Sequence, residues 1–72
     1  MNSQKKYILG IDIGGTNFRI GLVSQIYEIT EFKIISIKEL QKGNFIDNLI
    51  KQIEFYINLY KEEIEAIGIG FP

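Results

Sequence analysis

Asp12, Gly14, Gly15, Thr16, Asn17 and Arg19 are the residues of this 72-residue chain whose types and spacing could do chemistry. Asp12 is an acid inside the apolar run Tyr7–Ile13. A buried carboxylate without a partner is costly, so it must meet a cation, water or hydrogen-bond donors. Gly14 and Gly15 remove Cβ atoms where the chain reverses. Successive backbone N–H groups at such a turn can converge on an anion such as phosphate. Thr16 adds a hydroxyl, Asn17 an amide and Arg19 a positive charge. Asp12 beside the turn could hold a hydrated Mg²⁺ that bridges phosphates. The same residues also suit a plain hairpin turn, and spacing alone leaves both readings open. Two other phosphate loops are excluded. A dinucleotide fingerprint needs a helix after its glycines, whereas a strand pattern follows here, and no Gly-Lys-Ser/Thr follows for a Walker A loop.

The elements that must position these residues follow from the apolar pattern. Lys6–Ile13 reads as a strand covered on both faces, because its apolar run is nearly continuous. Phe18–Ser24 alternates, with Phe18, Ile20 and Leu22 on one side, and a turn this short makes the pair antiparallel. Residues 31–38 form a third, wetter strand with Phe32 and Ile34 turned toward cover, and Ile35 and Ile37 as further candidates for the covered side. Asn44 is a good helix N-cap, with Asp47 three residues on. The helix over residues 44–61 carries Ile46, Leu49, Ile50, Ile53, Ile57 and Tyr60 on one face. Phe45, Phe55, Tyr56 and Leu59 widen that stripe, and the aromatics at this spacing read as core. Residues 65–71 form a fourth strand. The helix is a crossover that lets this strand run parallel to the first. The order is β-β-β-α-β, an α/β fold with an antiparallel meander and one parallel strand.

Composition narrows the rest. Seventy-two residues make one domain at most, and a small one with marginal stability. With no Cys and no His, disulfides and the usual zinc ligand sets are absent. A formal net charge of −1 gives no basic footprint for nucleic acid. No apolar run reaches the roughly 18 residues of a membrane helix, so a cytoplasmic location is expected. The sixteen Ile fit codon bias in an A/T-rich genome, although branched side chains also favour strands. Lys5 and Lys6 read as a solvated end, and Glu62, Glu63 and Glu65 as a charged turn.

The segment Gly10–Val23, GIDIGGTNFRIGLV, resembles the first phosphate motif of the ROK kinases and glucokinases. These belong to the sugar kinase, actin and Hsp70 superfamily. Ile64–Pro72, IEAIGIGFP, resembles the next ROK landmark, a strand ending in Gly-x-Pro. The resemblance implies a ribonuclease H-like (actin-like ATPase) half-domain, the N-terminal part of the first lobe of a longer enzyme. It implies ATP with Mg²⁺ as cofactors and phosphoryl transfer to a hydroxyl of a glucose- or fructose-type sugar. Asp12 would organise the Mg²⁺–phosphate end through water, and Gly14, Gly15 and Thr16 would line the phosphates. Asn17 stands where many ROK members carry Lys, and Arg19 would partly replace that charge. The general base, the sugar-binding acid and the zinc cluster would lie beyond Pro72, so no catalytic residue falls within this chain. No helix-turn-helix precedes the first strand, which favours a kinase over a ROK-type regulator.

Two further expectations follow. The fragment alone should not turn over, and it should self-associate through its last strand edge or an apolar helix face. The intact enzyme could be a homodimer. The rival reading is a non-catalytic binding or assembly module that kept the fold.

Overall fold

The computed structural model describes residues 6–71. Strands β1 (Tyr7–Ile13), β2 (Asn17–Ser24), β3 (Ile29–Ser36) and β4 (Ile64–Gly70) form one sheet in the order β3-β2-β1-β4. The pairs β1–β2 and β2–β3 are antiparallel, and β1–β4 is parallel. This is the α/β arrangement expected of the meander and crossover. The crossover contains two helices, α1 (Ile37–Leu40) and α2 (Phe45–Leu59). Helix α2 begins at Asn44, whose side-chain oxygen accepts the Asp47 N–H at 2.9 Å. No helix among the described residues is long and apolar enough to cross a membrane.

The core lies between the sheet and α2. Leu9 and Ile11 of β1, Phe18, Ile20 and Leu22 of β2, Leu40 of α1 and Tyr56 of α2 are buried. The strand residues alternate because side chains at i and i+2 share a face. On the opposite face, Ile8, Ile29, Phe32 and Ile34 stay exposed. The expectation that β1 is covered on both faces is therefore corrected. The described helices cover one face.

Three local expectations also change. The third strand was expected over 31–38, but it ends at Ser36, and Ile37 and Lys38 open α1. Ser36 Oγ accepts the Glu39 N–H at 3.2 Å, and Leu40 buries its side chain in the core. The Ser36-x-x-Glu39 spacing is itself a helix-start pattern.

Phe32 and Ile34 were expected to face cover and are exposed, whereas Ile35, also a candidate for cover, lies with Lys33 on the covered side, opposite Phe18 and Ile20. The cause is a bulge. The register slips opposite Gly21, and Glu31 adopts a left-handed φ of 52°. One extra residue reverses the facing of part of the strand. A Cβ at Gly21 would approach Ile29 Cγ2 to 3.2 Å and the Phe32 backbone to 3.4 Å, so the bulge needs glycine opposite it.

The helix face is also rotated from the expected one. Ile46 and Ile50 are exposed, while Tyr56 is 2% exposed at the centre of the packed side. Leu49, Ile53, Ile57 and Tyr60 pack around the core as expected. Tyr56 donates its hydroxyl to the Glu31 carbonyl and so ties the helix to the bulge. Burial, then the Glu31 charge, raises its pKa above the usual phenol value. Of the other aromatics, Phe45 packs against the core, and Phe55 is exposed with Lys33 Nζ 4.7 Å from its ring centre.

Candidate functional site

The hairpin between β1 and β2 brings the six candidate residues to one end of the sheet. Gly14 N–H donates to the Asn17 carbonyl at 2.9 Å and closes the turn. Neither glycine of the turn has a left-handed φ. They supply space instead. A Cβ on Gly14 would stand 3.2 Å from the Asn17 carbonyl oxygen, whereas a Cβ on Gly15 would meet nothing within 4 Å. Gly15 and Thr16 are exposed, and Gly14 and Asn17 half-buried. The backbone at Gly15 is thus open to a ligand that approaches the turn.

Asp12 meets the kind of partner expected of an acid in an apolar strand, a cation, but it is not buried. It lies on the open face of β1, paired across the strands with Arg19. Arg19 Nη1 is 3.3 Å from Asp12 Oδ2, with the two side chains 44% and 57% exposed. Opposite charges on directly paired strand positions attract, but at this exposure the pair adds at most about 1 kcal/mol. On its other side Asp12 pairs with Gly70 of β4, where a Cβ would come to 3.8 Å from Asp12 Oδ1. The carboxylate therefore has a cation on one flank and a bare glycine on the other.

A row of glycines runs beside this pair. Gly21, Gly10 and Gly68 are in register across β2, β1 and β4. They floor an open groove of about 340 Å³, bounded by Ile29 and Phe32 and ending at Asp12 and Arg19. A larger hollow of about 670 Å³ lies at the other end of the sheet, between Tyr7 and the β2–β3 turn. It holds none of the candidate residues.

Among the described residues no three potential metal ligands cluster together. One carboxylate with free oxygen valences suits Mg²⁺, which is commonly held by one or two carboxylates and substrate phosphates. The residues present fit a shared Mg²⁺–phosphate site rather than a closed protein cage. Pro72, the end of the Gly-x-Pro landmark, lies outside the described residues, as does Lys5.

One contact was not foreseen from the sequence. The Thr16 carbonyl accepts the Ile37 N–H at 2.8 Å, so the turn is braced by the start of α1. The Ser36-x-x-Glu39 pattern was the available signal for α1, but nothing in the spacing placed it beside Thr16.

The fold and the turn together define the class of this chain: a half-domain of the sugar-kinase fold, with one parallel and two antiparallel strand pairs. It is similar to the crystal structure of a "putative sugar kinase" from Cytophaga hutchinsonii, with a TM-score of 0.82 and 31% identity over 92% of this chain. The matched region spans 22% of that longer chain. No family model matches this chain, and no curated protein does.

Proposed function

We propose that this chain is the phosphate-binding segment of an ATP-dependent sugar kinase of the ROK type, acting on a glucose- or fructose-type sugar in the cytoplasm. The observation that carries the reading is the meeting of an exposed carboxylate, Asp12, with an open Gly14-Gly15-Thr16 turn at one end of a sugar-kinase half-sheet. Bound Mg²⁺–ATP would supply the phosphoryl group and the metal charge. Asp12 would hold that metal through water, and the Gly15 and Thr16 N–H groups and the Thr16 hydroxyl would donate to phosphate oxygens. Arg19 would turn from Asp12 toward the phosphates, because its present partner is shared with solvent and weakly held. Positioning and charge neutralisation are the main work of phosphoryl-transfer sites.

The binding test is a titration of the 72-residue chain with Mg²⁺–ADP, followed by amide NMR. Shifts confined to Gly14, Gly15, Thr16 and their strand neighbours are expected. Unmoved turn amides at millimolar nucleotide would refute the reading. Phosphoryl transfer itself needs the remaining four-fifths of an enzyme the size of the solved neighbour. Sustained ADP release from this chain with ATP, Mg²⁺ and glucose would contradict that.

The exposed edge of β4 supports self-association of the isolated chain. From Ala66 to Phe71 this edge carries no charge and no proline, and Ile67, Ile69 and Phe71 are exposed. Such edges pair with other strands. Analytical ultracentrifugation should show a species of twice the monomer mass or more, which Ile69→Lys shifts toward monomer. A clean wild-type monomer at high concentration would rule the association out.

A further inference from the structure

We propose that Asn48, on α2, is a positioning residue for the Gly14–Asn17 turn, acting through α1. The proposal rests on the phosphate-turn reading for its purpose, but its physical content is a chain of contacts. Helix α1 has four residues, too few to hold itself together. Its start carries the Ile37 N–H that donates to Thr16 at 2.8 Å, and Ser36 pairs with Asn17 in the ladder. Whatever fixes α1 therefore fixes Thr16.

Two things fix it. Leu40 inserts its side chain into the core. Asn48 then donates both hydrogens of Nδ2, one to the Leu40 carbonyl and one to the Lys42 carbonyl, each at 2.8 Å. Two acceptors at that distance settle which way the amide points, since only its nitrogen can donate. These are carbonyls at and just past the end of α1, left without helical partners. An aliphatic side chain at position 48 would leave both unserved. The bond to the Leu40 carbonyl is part-buried, so water replaces it poorly, whereas the Lys42 carbonyl is exposed and can turn to solvent. The bland role of such an amide is to cap a short helix. Here the other end of the same helix holds the carbonyl of Thr16, and this couples the cap to the turn.

Hydrogen exchange and binding test the coupling together. In Asn48→Ala the Ile37 amide should exchange about tenfold faster relative to the amides of central strand β2, which report global opening. Phe55→Ala, on the same helix but about two turns further along, is the control. It removes an exposed ring whose neighbours are Lys33 and Tyr56, away from α1. Its Ile37 amide should follow β2. If the Ile37 amide also tracks β2 in Asn48→Ala, the proposal is overturned.

Mg²⁺–ADP affinity should fall several-fold in Asn48→Ala and hold in Phe55→Ala, each measured on the folded fraction. Equal losses in the two variants would mean general destabilisation and would also overturn it. Ile37→Pro offers a second route. It deletes the N–H that reaches Thr16 at the first helical position, where proline is well tolerated, and Ser36 is already extended with ψ 146°. It should lower the affinity as much as Asn48→Ala does, and unchanged affinity would count against the brace. Should the wild-type chain bind no Mg²⁺–ADP, the nucleotide reading fails while the Ile37 exchange rates still decide the coupling.

Discussion

Asp12→Ala is expected to remove Mg²⁺-dependent nucleotide binding from the chain and to lower kcat of an intact kinase carrying it by about 10²–10³-fold. Stability should hardly move. The carboxylate is 57% exposed and its ion pair with Arg19 is shared with solvent, so its loss costs less than about 1 kcal/mol. The cause of the functional loss is specific. Asp12 is the one carboxylate on the strand that leads into the Gly14-Gly15 turn, and Gly70 beside it offers no replacement oxygen from a side chain. Asp12→Asn separates the two roles. It keeps an acceptor for Arg19 but removes the charge, so it should melt like the wild type and bind nucleotide like Asp12→Ala. Wild-type affinity in Asp12→Asn, or near-normal turnover in Asp12→Ala, would remove the metal role from this residue.

Phe18→Ala should unfold a large part of the population. Phe18 is 0% exposed and sits on β2 between Ile13 of β1 and Ile35 of β3. Deleting a buried phenyl ring costs about 3–5 kcal/mol, because the neighbours collapse only partly into the space. A chain of this length has about 4–11 kcal/mol in total, from about 0.05–0.15 kcal/mol per residue. Urea unfolding followed by circular dichroism should show the midpoint falling steeply or the folded baseline lost. Phe55→Ala is the comparison. Its ring is 52% exposed, with Lys33 over its face, and its loss should cost about 1 kcal/mol or less. If the two variants unfold together, the core is not where Phe18 lies.

The contrast between Phe18 and Phe55 shows how far the sequence could be read. Phe18 alternates with Ile20 and Leu22, and a period of two leaves no choice of face once one face is buried. Phe55 belongs to a helix whose apolar stripe is wide. There the pattern fixed the helix but left its rotation about its own axis open. The sheet settled that rotation, burying Tyr56 so that its hydroxyl could meet the carbonyl freed at Glu31. The bulge itself left no trace in the pattern, since Glu31, Phe32, Lys33 and Ile34 alternate cleanly in a register that turns Phe32 and Ile34 inward. Asp12 was misjudged for a related reason. A continuous apolar run signals a strand covered on both faces, but the exposed side of β1 is faced by solvent, Arg19 and a row of glycines.

By itself, the sequence determined the local elements: the antiparallel hairpin forced by a short Gly-Gly turn, the helix start at Asn44, the parallel return of the fourth strand and the grouping of Asp12 with the turn. These follow from backbone sterics and apolar period, which act between residues near in the chain. Tertiary structure decided what depends on distant partners. It set the rotation of the helix, the bulge opposite Gly21, the exposure of Asp12 beside Arg19, and the brace from Asn48 through α1 to Thr16. Such choices turn on which groups are left without a hydrogen bond or a packing neighbour, and that is fixed only when the sheet and its helices come together.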